Sequence, residues 1–290
     1  MHLGVLGNSD SWYVRDLQRA AADRHEITAV PFSELACRID DDGIAINAGP
    51  VRFDTFDAVL VRSMPPGSLE QVVFRMDLLA RCEVAGMPVV NPPRAVEAAV
   101  DKFLTSAKLQ AAGLKTPKTI VCQTADEAMA AFDALGRDVV VKPLFGSEGR
   151  GIARLEDAAM ALRAFRMLER LGAVLYVQEF IAHEGCDLRL LIIGHRIFGM
   201  RRRNVLDWRT NISCGARGEP LEVTHELAEL AFRAAAAVGA PFAGVDLLPA
   251  RDGTLYAIEV NAVPGWKALA AVTGLDVAAI VLDYLAEVAA

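Results

Sequence analysis

Residues 139–152 read VVVKPLFGSEGRGI. The run of valines predicts a strand. Lys142 closes it, directly before a loop with glycines at 146, 149 and 151. A cation at a strand end, followed by a loop of unhindered backbone N–H groups, suits phosphate oxygens. Two familiar phosphate loops do not match. A Walker A loop carries its lysine after the glycines, and a dinucleotide fingerprint spaces them G-x-G-x-x-G at a helix start. Protein kinases also put a lysine on a strand, but their glycine loop precedes it and H-R-D and D-F-G follow. This chain has neither motif. By itself the segment fits both a strand lysine under a mobile glycine lid and a plain hairpin turn with a surface lysine.

With 290 residues, 53% of them hydrophobic, the surrounding chain is long enough for two or three packed units. Its 30 Lys+Arg against 37 Asp+Glu, net charge -7, disfavour broad nucleic-acid binding, which rests on neutralising phosphates. A local basic pocket remains compatible with that balance. Five scattered cysteines without a C-x-x-C pair fit free thiols in a reducing compartment, and five histidines without H-E-x-x-H argue against zinc. The N-terminus lacks the basic and apolar regions of a signal peptide. No stretch reaches the ~18 continuous apolar residues of a spanning helix. A soluble cytoplasmic protein without membrane or nucleic-acid partners is expected.

Along residues 1–90, LGVLG, FDAVLVRS and MPVVN read as strands, and WYVRDLQRAAA and LEQVVFRMDLLARCEVAG as helices. Such alternation implies a parallel sheet flanked by helices, ending near Pro92–Pro93. A helix from about Ala95, carrying Asp101–Lys102, is expected to run to Gly113. Next come the strand KTIVCQ and a helix opened by the capping box Thr124–Glu127. LYVQEF is a strand, and DLRLLIIG with RIFGMRRR forms a hairpin turning at Gly194–His195. An alanine-rich helix, the strands AGVDLLPA and TLYAIEV, and a helix from about Asp276 complete the chain.

The acidic residues of the last strands carry chemistry. Glu259 and Asn261, two apart, face one side of their strand, and Asp246 joins them if the two strands pair. Two carboxylates and an amide oxygen are hard ligands suited to Mg²⁺ with substrate phosphates, and isolated acids in strands this apolar need a partner. A solvated acidic sheet face is the alternative. Gln178, Glu179, Phe180 and Ile181 end a strand whose backbone suits an adenine edge, or simply belongs to a core. Asp187 has the chemistry to accept from a ribose. An exposed run such as Arg201–Arg203 is usually a solvated face, but alternation sends Arg202 to the opposite side from its neighbours. An inward arginine there is what a developing phosphoryl charge requires.

In order and spacing, DKFLTSAKLQAAGLKTP, VVVKPLFGSEGRGI, VQEFI, GCDLRLLIIG, MRRRN, DWRTN, AGVDLL and IEVNAVPG resemble the ATP-grasp superfamily, and within it the RimK-like carboxylate–amine ligases. The resemblance spans about Asp101 to Gly265 and implies an α/β fold. An N-terminal parallel α/β domain (1–93) would precede the two α+β subdomains of an ATP-grasp fold, one with the lid (94–174) and one with the metal site (175–290). It also implies that Lys102 and Lys142 contact ATP phosphates beneath a lid containing Gly146, Ser147, Gly149 and Gly151. Residues 178–181 would hold adenine, Asp187 the ribose, and Arg209, Thr210 and Asn211 would lie beside the nucleotide. Asp246, Glu259 and Asn261 would bind Mg²⁺, with Mn²⁺ a substitute, and Arg202 would act at the transferred phosphate as the catalytic residue.

The family's reaction activates an acceptor carboxylate as an acyl phosphate, which an amine converts to an amide, releasing ADP and phosphate. Water exclusion by the lid protects that intermediate. Where ribosomal-protein-modifying members continue with His-Arg-Gly-Gly, this chain has Ile212-Ser213-Cys214-Gly215-Ala216, so a different acceptor or amine is implied. The first ninety residues match poorly, although SDSWYV and VRSMPP sit at strand ends, where Arg62 either meets an acidic acceptor or has only a loop or capping role. An acidic chain favours a small-molecule acceptor, with a pterin such as tetrahydromethanopterin leading and L-glutamate as the amine. A protein C-terminus or carrier protein is the runner-up. A non-catalytic ATP sensor and a kinase that needs no amine are the readings from other classes. A homo-oligomer, dimer or tetramer, is expected by analogy.

Overall fold

The computed structural model describes residues 1–41, 43–146 and 149–290. The N-terminal sheet is parallel, in the order Glu26–Val30, His2–Leu6, Ala58–Val61, Val89–Val90. Its strands are apolar on both faces because helices cover both. Leu3, Val5 and Leu60 pack with Val14 and Leu17 of helix Trp12–Ala21. Leu6, Val59 and Val61 pack with Met76 and Leu79 of helix Leu69–Val84. The chain leaves His2–Leu6 toward one edge and Ala58–Val61 toward the other, so the order reverses between these two strands.

The sequence reading passed over residues 35–52. They form a small antiparallel sheet of Leu35–Asp40, Gly43–Ala48 and Val51–Arg52. The continuous helix expected from about Ala95 to Gly113 is corrected to two, Pro93–Val100 and Lys102–Ala111. Asp101 is extended (φ -88°, ψ 106°), and its carboxylate accepts from the Leu104 N–H, 3.0 Å. A short acidic side chain competes well for free helix-start N–H groups, so the residue caps a second helix. Lys102 thereby becomes that helix's first residue.

A central antiparallel sheet runs Ala153–Leu155, Val139–Lys142, Leu175–Glu179, Thr119–Cys122. Strand alternation sends Val139, Val141, Leu175 and Val177 against Phe132 and Phe165 of helices Ala125–Ala134 and Ala158–Arg170. The opposite face carries Val140, Lys142, Tyr176 and Gln178.

The largest sheet is antiparallel, in the order Arg217–Pro220, Arg196–Arg203, Cys186–Ile193, Phe242–Pro249, Leu255–Asn261. Cys186–Ile193 and Arg196–Arg203 form the expected hairpin, with Gly194 at φ 60° in its turn. Leu188, Leu190 and Ile192 pack with Val96, Leu109 and Leu227. Leu191, Ile193, Phe242 and Trp266 share one core with the parallel sheet and helix Val277–Ala289. Asn91, fully buried, fixes this junction. Its amide donates to the carbonyls of Phe242 (2.6 Å) and Ala262, and its oxygen accepts from the Phe242 N–H at 2.9 Å. Among the described residues no single helix is long and apolar enough to cross a membrane.

Candidate active site

The central and largest sheets face each other across a cleft. Val140, Lys142, Tyr176 and Gln178 line one wall, and Asp187, Arg202, Asp246, Leu248, Ile258 and Glu259 line the other. Each wall is a strand face of period two, with one exception. Asp246 pairs with Glu259 but Leu247 pairs with Ala257, so Ile258 is an extra residue on its strand. This β-bulge turns two consecutive side chains, Ile258 and Glu259, into the cleft.

At one end two lysines meet. Lys142 Nζ donates to Gln178 Oε1 (2.7 Å), and Gln178 Nε2 in turn donates to Thr119 Oγ1 (2.8 Å) and to the Tyr176 hydroxyl (3.0 Å). Burial pulls the Lys142 ammonium down to about 8, with Glu259 opposing the shift and Lys102 adding to it. Lys102 is lowered by desolvation as well. Its Nζ donates to the Gly146 carbonyl (2.8 Å), tying the helix Lys102–Ala111 to the glycine loop. Among the described residues neither lysine forms an ion pair with a carboxylate. Glu259 acts on both only from a distance, so two partly desolvated cations stand without a close ion pair, which a polyphosphate would supply.

The opposite wall is an ionic network. Arg202, 4% exposed, donates through Nε to Asp187 Oδ1 (2.7 Å) and through Nη2 to both Asp187 Oδ2 and Asp246 Oδ2, the latter at 2.8 Å. Arg189 grips both oxygens of Asp246, Nη2 to Oδ2 at 2.8 Å. Thr210 Oγ1 donates to Asp187 Oδ2, 2.6 Å. Burial alone would push the Asp246 carboxyl up, but the two arginines outweigh it and hold it below the usual range. For Asp187 burial prevails over Arg202 and Thr210, and the carboxyl is raised. The Arg202 guanidinium is raised, its two carboxylates outweighing its burial.

Asp246 and Glu259 present carboxylates side by side across the paired strands, and their hard oxygens suit Mg²⁺. No group of three or more His, Cys, Asp or Glu side chains forms a metal cluster among the described residues. A metal held here would therefore complete its shell with phosphate and water oxygens, as Mg²⁺ does.

The other end of the cleft is apolar and aromatic. Val140 and Ile152 face Leu248 and Ile258, with Phe180 and Trp208 at the rim. The Phe180 ring stands edge-on to Trp208 at 5.8 Å, and the Arg154 guanidinium lies 3.7 Å over it. The N–H groups of Glu179 and Phe180 donate to the carbonyls of Lys118 (2.9 Å) and Asp138 (3.0 Å). Glu179 Oε1 accepts from the Lys118 N–H, 2.8 Å, which turns this side chain toward the neighbouring strand.

Of the residues singled out in the sequence, the cleft gathers Lys102, Lys142, Gly146, Gly149, Gln178, Glu179, Phe180, Ile181, Asp187, Arg202, Arg209, Thr210, Asn211, Asp246 and Glu259. Gly151 does not line the cleft and sits against Pro143, and Ser147 lies outside the described residues. Asn261 does not line the cleft; its Oδ1 accepts from the Val263 N–H, 2.8 Å. Sequence reasoning missed Arg189, Tyr176, His183 and Trp208. Two had a signal, since Arg189 stands two residues from Asp187 and Tyr176 two from Gln178, on the same strand faces.

A model of the RimK-like ATP-grasp domain matches residues 99–285. Tetrahydromethanopterin:alpha-L-glutamate ligase of Methanosarcina acetivorans is 30% identical over 319 residues, covering 98% of this chain and 98% of that relative. Glutamate–LysW ligase ArgX of Sulfolobus acidocaldarius is 28% identical over 236 residues, covering 79% of this chain and 82% of the relative. Among solved structures, the ATP-grasp ligase PsnB complexed with a minimal precursor superposes with a TM-score of 0.79 at 24% identity. That match covers 99% of this chain and 98% of PsnB, a likeness of fold, and PsnB has also been solved with Mg and ADP.

Proposed function

Because the chain belongs to the RimK-like ATP-grasp family, whose members named above are ligases, we propose that it adds L-glutamate to the carboxylate of a small-molecule acceptor such as tetrahydromethanopterin. The coarser statement stands without the proposal: the protein is an ADP-forming acid–amino-acid ligase that uses ATP to make an amide. The observation that carries the site assignment is the cleft's charge layout. Two lysines without a close ion pair share one cleft with the carboxylates of Asp246 and Glu259.

In this reading Lys102 and Lys142 hold the phosphates, and the loop from Gly146 to Gly151 closes over them and keeps water from the acyl phosphate. Residues 178–181 receive the adenine between the apolar walls. Asp187 lies on the ribose side, and Arg209, Thr210 and Asn211 line the nucleotide's flank. Asn261, expected with Asp246 and Glu259, has its Oδ1 on the Val263 N–H and stands outside the cleft lining; the two carboxylates would hold Mg²⁺ or Mn²⁺. Bound there, the metal offsets phosphate charge. Arg202 reaches the cleft from its carboxylate pair and offsets charge on the transferred phosphoryl group. The acceptor carboxylate takes the γ-phosphoryl group, and the amine then displaces phosphate. We further propose unit boundaries near residues 93 and 174 and a homo-oligomeric assembly.

The test is mass spectrometry after incubation with ATP, Mg²⁺, L-glutamate and either tetrahydromethanopterin, a cellular small-molecule extract or a protein fraction, with ADP followed in each. One added glutamyl unit on a small molecule is expected. The same gain on a protein moves the acceptor to a polypeptide, and ADP without an adduct overturns the choice of amine. Lys142→Ala and Glu259→Ala should abolish turnover with the fold intact; near-normal rates in either overturn the site.

A further inference from the structure

Arg62 follows the strand Ala58–Val61 and is only 7% exposed, yet its Nε and Nη1 are buried without any hydrogen-bond partner. Its neighbours are aromatic. The guanidinium carbon lies 4.4 Å from the Trp266 ring centroid, 4.6 Å from Tyr13 and 5.8 Å from Phe242. No carboxylate pairs with it among the described residues. Trp266 Nε1 donates to Asp16 (2.9 Å), but Asp16 is engaged by Arg19 at 2.9 Å. Burial accordingly pulls the guanidinium down to about 10, with only Tyr13 opposing the shift. Ring faces compensate a buried cation partly; the N–H donors on Nε and Nη1 still lack acceptors.

The position matters as much as the orphaned charge. Arg62 lies where the strand order of the parallel sheet reverses, between the C-terminal ends of His2–Leu6 and Ala58–Val61, the place where open α/β sheets receive ligands. Helix Trp12–Ala21 starts beside it, and its Ser11 cap makes no side-chain bond to the first turn. Two of the aromatic neighbours belong to the ligase half. Phe242 begins the strand that carries Asp246 four residues later, about 13 Å away at ~3.3 Å per residue. Trp266 follows the turn leaving Glu259 and Asn261.

We propose that Arg62 anchors a carboxylate of one of the two substrates, one that takes no part in the amide chemistry. The anchor is received at these strand ends while the reacting group reaches the cleft beyond Asp246. This rests on the ligase reading above and deepens it. Both substrates of such a ligase are carboxylate-bearing, so the same chemistry can come from the amino-acid donor or from the acceptor, and the experiment separates them.

The experiment compares wild type with Arg62→Met and the charge-preserving Arg62→Lys. Thermal midpoints are measured without ligand, and KM and kcat are measured separately for L-glutamate and tetrahydromethanopterin at saturating ATP and Mg²⁺. In parallel, tryptophan fluorescence, which Trp266 reports beside Arg62, is titrated with L-glutamate, L-glutamine, L-isoglutamine and a malonate-to-adipate series. For Arg62→Met the expected result is a midpoint no lower than wild type, since an unpaired buried charge is removed. One KM should rise at least tenfold with a smaller fall in kcat, and Arg62→Lys should recover part of it. A rise for L-glutamate places the donor at Arg62, and a rise for tetrahydromethanopterin places the acceptor there. Unchanged KM for both, with a lowered midpoint, overturns the proposal and makes Arg62 a structural plug. If the wild type forms no glutamyl amide, the ligase reading's substrates fail. The fluorescence series then decides alone, and carboxylate-dependent quenching in wild type must be lost in Arg62→Met.

Discussion

Arg202 and Arg62 are buried almost equally, 4% and 7% exposed, but they solve the problem of a buried charge in opposite ways. Arg202 donates to two carboxylates and is raised by them despite its burial; Arg62 has three rings and no acid, and is lowered. The first belongs to a network whose charges are internally matched, so it is held in place before any ligand arrives. The second is left for something outside the protein to complete. Unbalanced charge marks a place that awaits a partner, and by that criterion the two lysines of the cleft resemble Arg62 more than Arg202.

The largest break in this comparison comes from Arg202→Met. Steady-state kinetics should show kcat down by about 10³-fold or more, the loss expected when a charge-stabilising donor is removed. Urea unfolding should show about 3–5 kcal/mol of lost stability, because Asp187 and Asp246 lose their shared buried cation. Equal stability costs for the Arg202 and Arg62 methionine variants would erase the distinction.

Asn91→Ala comes next. It removes three buried hydrogen bonds at the junction between the parallel sheet and the ends of the acidic strands, at about 2 kcal/mol or more. Its kinetic effect should fall on the substrate that uses Arg62 and leave the KM for ATP within twofold.

Gly149→Ala tests the cleft alone. Gly149 has φ 73°, where a side chain is strained, and a Cβ there would stand 2.6 Å from Asn211 Oδ1 and 3.2 Å from Cys214 Sγ, so the substitution strains the glycine loop and displaces Asn211. The KM for ATP should rise about tenfold, since ~1.4 kcal/mol of strain is enough for that, without change in either carboxylate substrate's KM.

The mildest test is pH. In the free protein Lys142 loses its proton as pH rises through about 8. Its charge is intact below that value, so the KM for ATP should climb several-fold between pH 8 and 9.5 and flatten in Lys142→Arg. Stability has the opposite sign. Between about 8 and the usual 10.5 the unfolded chain binds the extra proton, so this group's contribution grows as pH rises. Calorimetry in two buffers of different ionisation enthalpy should detect proton uptake on ATP binding above pH 8.

Much of this site was legible because its parts are local. The segment 139–152 declares a strand, a terminal cation and a glycine loop within a few residues. Alternation along that strand alone places Val140 and Lys142 opposite Val139 and Val141. The strand pairing that the reading left conditional sets Asp246 beside Glu259, while Asn261, which the same period put with Glu259, does not line the cleft.

Where one short-range rule competed with another, the reading failed. Asp101 sat inside a helical pattern but took the cap, because its carboxylate satisfies a free N–H that a continuous helix would not leave. The bulge at Ile258 is set by how two strands must twist past each other, and neither strand's composition announces it.

The amino-acid sequence by itself determined the alternating strands and helices, the strand lysine with its glycine loop, and the two strands that carry Asp246 and Glu259, since each depends on neighbours within one element. Only the tertiary structure decided that Arg189 and Arg202 close on Asp246 while Arg62 meets Trp266 and Phe242 instead of an acid. Charge compensation is a matter of distance in space, and those partners lie far apart along the chain.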